Sequence, residues 1–418
     1  MKKSTALRRL ALSPAVSWCL LAALLVMLFI QAFHPWWRQH LEPDIGAFQS
    51  RANHFFSNGS WAGMDYNEYQ PGALWFFAFL GFLTPSADNY EAFLTAAMLV
   101  NAALIAAHFA FFRAVGHRYA ALFFLAVAAA MGPILLFRFE LLVSLLTLVA
   151  WMLFQKDRHA DAALLLGIAT SIKLYPVVLM PVVLMPGFAA RDWRGMLHTL
   201  LWFFIGLLGP VVLAIELGLS FDGMLQSLAI HQLKPVGLEG FWGNAITIVQ
   251  YLAGIPLRIT PNYGVHGLTT DLPLLSDPVL NNFWILPTGA AIIGIFRVGR
   301  RRGFTDPGYA FLLLFAFLFF SKVVNPQYLW WAVAFLPFIP LAWFKTSLRK
   351  FVILSVMAGL LMTQVIFPLN YTEYLDWFHG TVASPRLFVI MALRTLLLLV
   401  VLCVTAYRLT TLPDPEKR

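Results

Sequence analysis

The sequence is poor in cysteine and in charge. Cys19 and Cys403 are its only cysteines. They lie far apart, each within an apolar run, so neither a disulfide framework nor a CxxC metal or redox site is expected. There is no Walker A loop, no GxGxxG following a strand, no HExxH pair and no Cys/His zinc spacing, which argues against a nucleotide-driven pump and a zinc protease. Charged residues make up only 12% of the 418 residues, against 60% hydrophobic. That little charge cannot cover the surface of a soluble protein of this size.

What is present is apolar and aromatic, with 38 Phe and 14 Trp. Runs of about 20 apolar residues match the thickness of a bilayer. They place spans at about 14–33, 92–112, 119–137, 139–155, 160–174, 176–190, 197–217, 281–297, 307–323, 328–344, 350–369 and 386–407. The expected fold is all-α: a single-domain polytopic membrane helix bundle over 1–418, with about twelve transmembrane helices. Two segments stay outside that count as interfacial or re-entrant. Residues 71–85 are short and open with Pro-Gly, and 241–256 are interrupted by Gly and bounded by Pro256.

Charge orients the bundle. With these spans, 20 of the 29 Lys and Arg residues fall on one side: Lys2, Lys3, Arg8 and Arg9, then the short loops at 113–118, 156–158, 191–194, 297–302 and 345–350, and the C-terminal Arg408, Lys417 and Arg418. Basic loops stay in the cytoplasm, so both termini are expected there, in a cell (inner) membrane. Only Asp157, Asp161, Asp192, Asp306, Asp414 and Glu416 share that side, and 14 of the 20 acids lie elsewhere. Chemistry that uses carboxylates should therefore face outward. The net charge of +9 does not point to nucleic acid, because the basic residues are scattered at helix ends, where they meet anionic membrane lipids. The first span has the basic start of a signal peptide, but no small-residue cleavage site precedes His34-Pro35-Trp36-Trp37. It reads as a retained helix.

Two long extracytoplasmic segments, 34–91 and 218–280, and a shorter one at 370–385 break the pattern of short loops; loops of this length in a compact bundle are functional or disordered. Their aromatic content argues against disorder. In the first segment stand Glu42, Asp44, Asp65 and Glu68, with Tyr66 and Tyr69. Asp44 follows the first span closely enough to face a cavity at the membrane surface and take a proton from a hydroxyl. Solvated loop acids would give the same local pattern.

Arg138-Phe139-Glu140 occupies a tight outer turn, where an arginine neutralises an anion or simply pairs with the adjacent glutamate. Gly167 to Pro176 ends an apolar helix at Lys173, with Tyr175 before a proline that disfavours continuation. An ammonium there needs an anion, and a lipid-linked phosphate is the natural one. His231 and Lys234, with Glu239, in the second segment, and Lys322, Gln327 and Tyr328 further on, fall on the same side. Each is weak alone, and their convergence is the signal.

Taken together these residues resemble the GT-C glycosyltransferases, and more narrowly glycosyltransferase family 87, the polyprenyl-phosphate-mannose-dependent mannosyltransferases. The resemblance rests on Asp44 with Phe48, Asn58-Gly59-Ser60 leading to Tyr66-Asn67-Glu68-Tyr69-Gln70-Pro71, Arg138-Phe139-Glu140, Gly167 to Pro176, and Asn325-Pro326-Gln327-Tyr328-Leu329-Trp330-Trp331, in that order. Glu140 stands where Asp is more usual, and Gln70 where a second aromatic-Pro or Pro-Pro is common.

The resemblance implies an inverting transfer of a hexose, most simply mannose, from a polyprenyl phosphosugar donor to a lipid or glycan acceptor. Asp44 would serve as the base. Lys173, Arg138 and Lys322 would hold the donor phosphate, and Glu68, Tyr69, Glu140, Tyr175, His231, Lys234, Gln327 and Tyr328 would line the substrate site. No metal or other cofactor is required if those cations suffice. The alternative is a transporter or flippase of lipid-linked saccharides, which would need the cations but not the base.

Overall fold

The computed structural model describes residues 13–64, 68–86, 88–115, 118–262, 264–269, 282–302, 308–338 and 346–411. Lys2, Lys3, Arg8, Arg9, Asp65, Tyr66, Asn67, Asp306, Lys345, Asp414, Glu416, Lys417, Arg418 and the stretch 270–281 lie outside them. The chain is overwhelmingly helical and its apolar helices fit a membrane-embedded protein.

Helix α1 (Pro14–Phe33) leads directly into α2 (Pro35–Leu41) and α3 (Pro43–Asn58). Each begins with proline at its first position, where the missing N–H is not needed and φ is already helical. The acidic segment read as a loop is thus largely helix, and Asp44 sits in the first turn of α3, where a carboxylate meets the positive end of the helix dipole.

There follow α4 (Pro71–Phe82), α5 (Tyr90–Ala114) and α6 (Arg118–Met131), which tightens into a 3-10 turn at Gly132–Phe137. Next come α7 (Glu140–Phe154) and α8 (His159–Ile172), then a 3-10 turn at Tyr175–Leu179, α9 (Met180–Ala190) and α10 (Trp193–Glu216).

The second long segment carries α11 (Phe221–Leu233), β1 (Val236–Gly237), α12 (Phe241–Leu252), β2 (Arg258–Asn262) and β3 (Val265–Thr269). The three strands form an antiparallel sheet in the order β1-β3-β2, with Asn262 opposite Val265 and Gly237 opposite Gly267. This small sheet is the one addition, among the described residues, to a fold that is otherwise helical as expected. The hairpin needs only a two-residue connection, and Gly264 supplies the positive φ of 69° that such turns require. Leu238, Ile259 and Leu268 from this region share a second apolar core with Tyr374, Trp377 and Phe388.

Last come α13 (Ile285–Arg302), α14 (Gly308–Phe320), a 3-10 turn at Pro326–Tyr328, the short α15 (Leu329–Val333), a 3-10 turn at Leu336–Phe338, α16 (Thr346–Ile366), α17 (Tyr371–Phe378) and α18 (Arg386–Thr411).

The count of twelve full spans is not reproduced. Among the described residues five helices are long and apolar enough to cross a bilayer, or six if the pair Lys350–Ile366 and Tyr371–Phe378, bent by 75°, is one span. Shorter apolar helices make up the rest, including Pro71–Phe82, Glu140–Phe154, His159–Ile172 and Gly308–Phe320. Several of these helices stop near a proline: His159–Ile172 ends at the extended Lys173 before Pro176, and Gly308–Phe320 ends ahead of the 3-10 turn that Pro326 opens. Proline withholds a backbone donor and clashes with the preceding turn, so the apolar stretch continues while the α-helix stops.

Close helix approach fixes where these breaks lie. A Cβ on Gly167 of α8 would sit 2.1 Å from the Phe203 carbonyl oxygen of α10, so the two backbones meet as small-residue membrane contacts do. Gly72, at the start of α4, would likewise place a Cβ 2.4 Å from Ser171 Oγ near the end of α8. The two contacts bring Gln70 and Lys173 to the same end of the bundle.

Candidate active site

A cavity of about 260 Å³ opens where the breaks converge. It is lined from the first segment by Asp44, Glu68, Tyr69 and Gln70, from the turns before α7 and after α8 by Arg138, Glu140, Lys173 and Tyr175, and from later in the chain by His231, Lys234, Lys322, Gln327 and Tyr328.

One wall is made of charges that already have partners. Arg138 is extended between its 3-10 turn and α7. Its Nη2 lies 2.8 Å from Asp44 Oδ2, and its Nη1 donates to the carbonyls of Leu41 at 2.9 Å and Phe137 at 3.0 Å. The arginine side chain is 7% exposed and the aspartate 43%. A buried fork thus holds one carboxylate oxygen while the aspartate faces the cavity.

Lys173, at the end of α8, pairs with Glu140, whose side chain is 2% exposed. The ammonium also lies 4.7 Å from the Phe139 ring centre, 4.5 Å from Tyr328 and 5.2 Å from Trp331. Tyr328 and Tyr175 stack on Trp331 at 4.3 and 4.4 Å. An aromatic box and a carboxylate therefore compensate the burial of this cation. Tyr69 packs edge-on against Phe48, Phe77 and Phe139. Burial and the nearby carboxylates of Asp44 and Glu68 push its hydroxyl well above the ordinary tyrosine range, so it stays a proton donor.

A second group of cations lining the cavity pairs with no carboxylate among the described residues. Lys322 donates to the Gln232 carbonyl at 3.1 Å, and burial lowers its pKa to about 8. Burial also lowers Lys234, with Lys173 adding to the effect and Glu68 opposing it. Burial, then Lys234, Lys173 and Lys322, lower His231 to about 4. The imidazole is therefore neutral near pH 7, and its Nε2 takes an N–H from the Gln70 side-chain amide at 3.2 Å. Cations held in their charged form against burial are favoured by an anion placed among them.

A family model for glycosyltransferase family 87 matches residues 67–326, more than half of the chain. The chain belongs to glycosyltransferase family 87. No curated protein sequence matches it.

The family 87 match takes in the site from Glu68 to Lys322, whereas Asp44 precedes it and Gln327 and Tyr328 follow directly. The twelve residues given catalytic, phosphate-binding or substrate-lining roles from the sequence all line this cavity, whereas Glu42 and Glu239 do not. Asp65 and Tyr66 are outside the described residues. Two assignments change in character. Arg138 and Lys173, expected to hold the donor phosphate, with an Arg138–Glu140 pair as the alternative for the arginine, each hold a carboxylate of the protein: Arg138 that of Asp44 and Lys173 that of Glu140. Sequence reasoning did not assign Gln70, Trp284 and Ser321 to the site, and they also line the cavity. Trp284 and Ser321 fall within apolar runs that read as spans, and only the helix ends reveal them. Among the described residues no group of three His, Cys, Asp or Glu side chains could hold a metal ion.

Proposed function

We propose that this family 87 protein is an inverting glycosyltransferase that moves a hexose, mannose foremost, from a polyprenyl phosphate carrier to a hydroxyl of a lipid or glycan acceptor on the extracytoplasmic face. The observation that carries the reading is the asymmetry of the cavity: an aspartate held by a buried arginine, and, among the described residues, a separate group of cations with no carboxylate paired to it.

Asp44, oriented by Arg138, takes the acceptor hydroxyl proton as the oxygen attacks the anomeric carbon. The bond from that carbon to the phosphate oxygen breaks on the opposite side, and the electron pair leaves with the polyprenyl phosphate. Lys234 and Lys322 meet the charge that develops there, with Lys173 behind them; fixed cations in a site of low dielectric need no reorganisation to do so. A single displacement inverts the anomeric centre.

An apolar groove of about 430 Å³ supports a lipid-borne substrate. It is lined by Trp75, Phe79, Leu104, Leu142, Ile172 and Leu213, and the exposure of Phe79 and Leu213 opens it to the outside of the bundle. Its residues Gly72, Leu142 and Ile172 lie within two positions of Gln70, Glu140 and Lys173 in the polar cavity.

The deciding assay gives purified protein either a nucleotide sugar or a polyprenyl phosphosugar and follows labelled sugar into lipid or glycan acceptors. Transfer from the lipid-linked donor alone is expected. Transfer from the nucleotide sugar alone would sink the reading, and lipid-saccharide transport retained in Asp44→Asn would favour a flippase. For the orientation, single cysteines at 44, 231 and 327 in a variant lacking Cys19 and Cys403 should react with an impermeant thiol reagent from outside.

A further inference from the structure

Arg394 interrupts the apolar helix α18 and is 2% exposed. A guanidinium in such a helix is costly unless it is satisfied. It does not line the polar cavity. Its Nη2 donates to the backbone carbonyl of Glu239, and Thr363 Oγ1 and Thr395 Oγ1 lie at 3.5 Å.

The Glu239 side chain, buried as well, accepts the Tyr371 hydroxyl at 2.6 Å. Tyr374 donates to the carbonyl of Leu238 at 3.4 Å, and the Asn244 amide to the carbonyls of Leu238 and Gly240 at 3.2 and 2.7 Å. Three elements of the C-terminal bundle, α16, α17 and α18, thereby converge on the strip 237–240.

The other edge of that strip reaches the cavity. Gly237 N–H donates to the Lys322 carbonyl at 3.0 Å, Leu238 N–H to the His266 carbonyl at 3.2 Å, and the Lys322 ammonium to the Gln232 carbonyl at 3.1 Å. Lys234 lies on the same stretch of chain, two residues from β1. A short run of backbone thus connects a buried arginine in the last helix to both cations of the unpaired wall.

We infer that Arg394, Glu239 and Tyr371 form a positioning latch that fixes Lys234 and Lys322 at the anion end of the cavity without touching substrate. The inference rests on the proposed function for what those lysines bind, and not for the latch itself. Burial pushes the Glu239 carboxyl up, so a neutral acceptor serves the Tyr371 hydroxyl equally well. Glu239→Gln should therefore keep the latch, while Glu239→Ala and Tyr371→Phe should release it. Arg394→Met would strand the Glu239 carbonyl and can fail to fold; Tyr371→Phe removes one oxygen only and keeps the ring contacts.

The test uses full-length protein in lipid nanodiscs. With a polyprenyl phosphosugar, Tyr371→Phe and Glu239→Ala should raise donor KM about 5- to 10-fold, with kcat within about 2-fold and acceptor KM unchanged, the scale of one charge-assisted contact. Glu239→Gln should stay near wild type. The independent readout is the pH profile of Lys322 acetylation, followed by mass spectrometry. Lys322 shares the cavity with His231, Lys234, Lys173 and Glu68; wild type should titrate near pH 8, and Tyr371→Phe should shift upward as the ammonium gains water.

Donor and acceptor KM rising together, or an unchanged Lys322 profile in Tyr371→Phe, would overturn the latch. A shifted profile in a protein that uses no lipid-linked donor would uphold the latch and remove the functional reading.

Discussion

The two walls of the cavity spend their charges differently. On the wall built by α3, α7 and α8, each cation meets a carboxylate: Arg138 meets Asp44, and Lys173 meets Glu140 inside three aromatic rings. At the end of α11 and the turn after α14, Lys322 has a backbone partner and His231 an amide partner, and among the described residues no carboxylate pairs with Lys234, His231 or Lys322. The first wall is electrostatically complete before any ligand arrives, so its charges serve structure and orientation. The second lacks such partners among the described residues, and the proposed donor phosphate would supply one.

The largest effect should come from the one carboxylate of the paired wall that faces the cavity. Asp44→Asn should lower turnover by about 10²-fold or more, the usual contribution of a positioned base, while detergent-extracted yield and thermal midpoint stay near wild type. Near-normal turnover would move the base to Glu68 or Glu140. Breaking the deeper pair should instead cost stability. Lys173→Met or Glu140→Gln alone should destabilise by about 3 kcal/mol, because the remaining partner is buried without its counter-charge. The double substitution should cost less than the sum of the two, and strict additivity in thermal unfolding would show that the pair is not coupled.

Smaller effects should follow on the unpaired wall, and these should fall on binding. Lys322→Met and Lys234→Met should each raise donor KM about 10-fold, as loss of one charge-assisted contact does, with little loss of thermal stability. A fall in stability matching that of Lys173→Met would erase the distinction between the walls.

The smallest effect is a pH dependence. Lys322 is charged below about pH 8 and neutral above it, so donor KM should rise as pH passes through about 8. Stability moves the other way: in the unfolded chain this lysine stays protonated to near pH 10.4, so between about 8 and 10.4 the unfolded state binds more protons and stability rises with pH. A donor KM that stays flat from pH 7 to 9.5 would remove Lys322 from the anion end.

The membrane character, the helical nature of the chain and the set of polar residues worth naming were legible because each is written locally. Apolar runs identify bilayer segments, and an isolated Asp44, Lys173 or Lys322 among them stands out because unpaired charge is costly there. Helix lengths were less legible. Hydropathy is blind to backbone continuity: 119–137 is found as a span although Gly132-Pro133 turns its end into a 3-10 helix, whereas 160–174 and 307–323 read as spans but form helices of only 14 and 13 residues. The sheet at 236–269 was missed because its first strand is two residues long, and it forms only against β3, some thirty residues further on.

Pairing lay beyond the sequence altogether. Composition and order determined that this protein lies in a membrane and carries a few outlying carboxylates and cations near helix breaks. Tertiary structure alone decided that Arg138 grips Asp44 across 94 positions, that Lys173 meets Glu140 rather than standing free, and that Arg394 satisfies itself on the Glu239 carbonyl. A charge's role depends on which opposite charge lies within a few ångströms, and that distance is set by helix packing through contacts such as Gly167 against Phe203, not by separation along the chain.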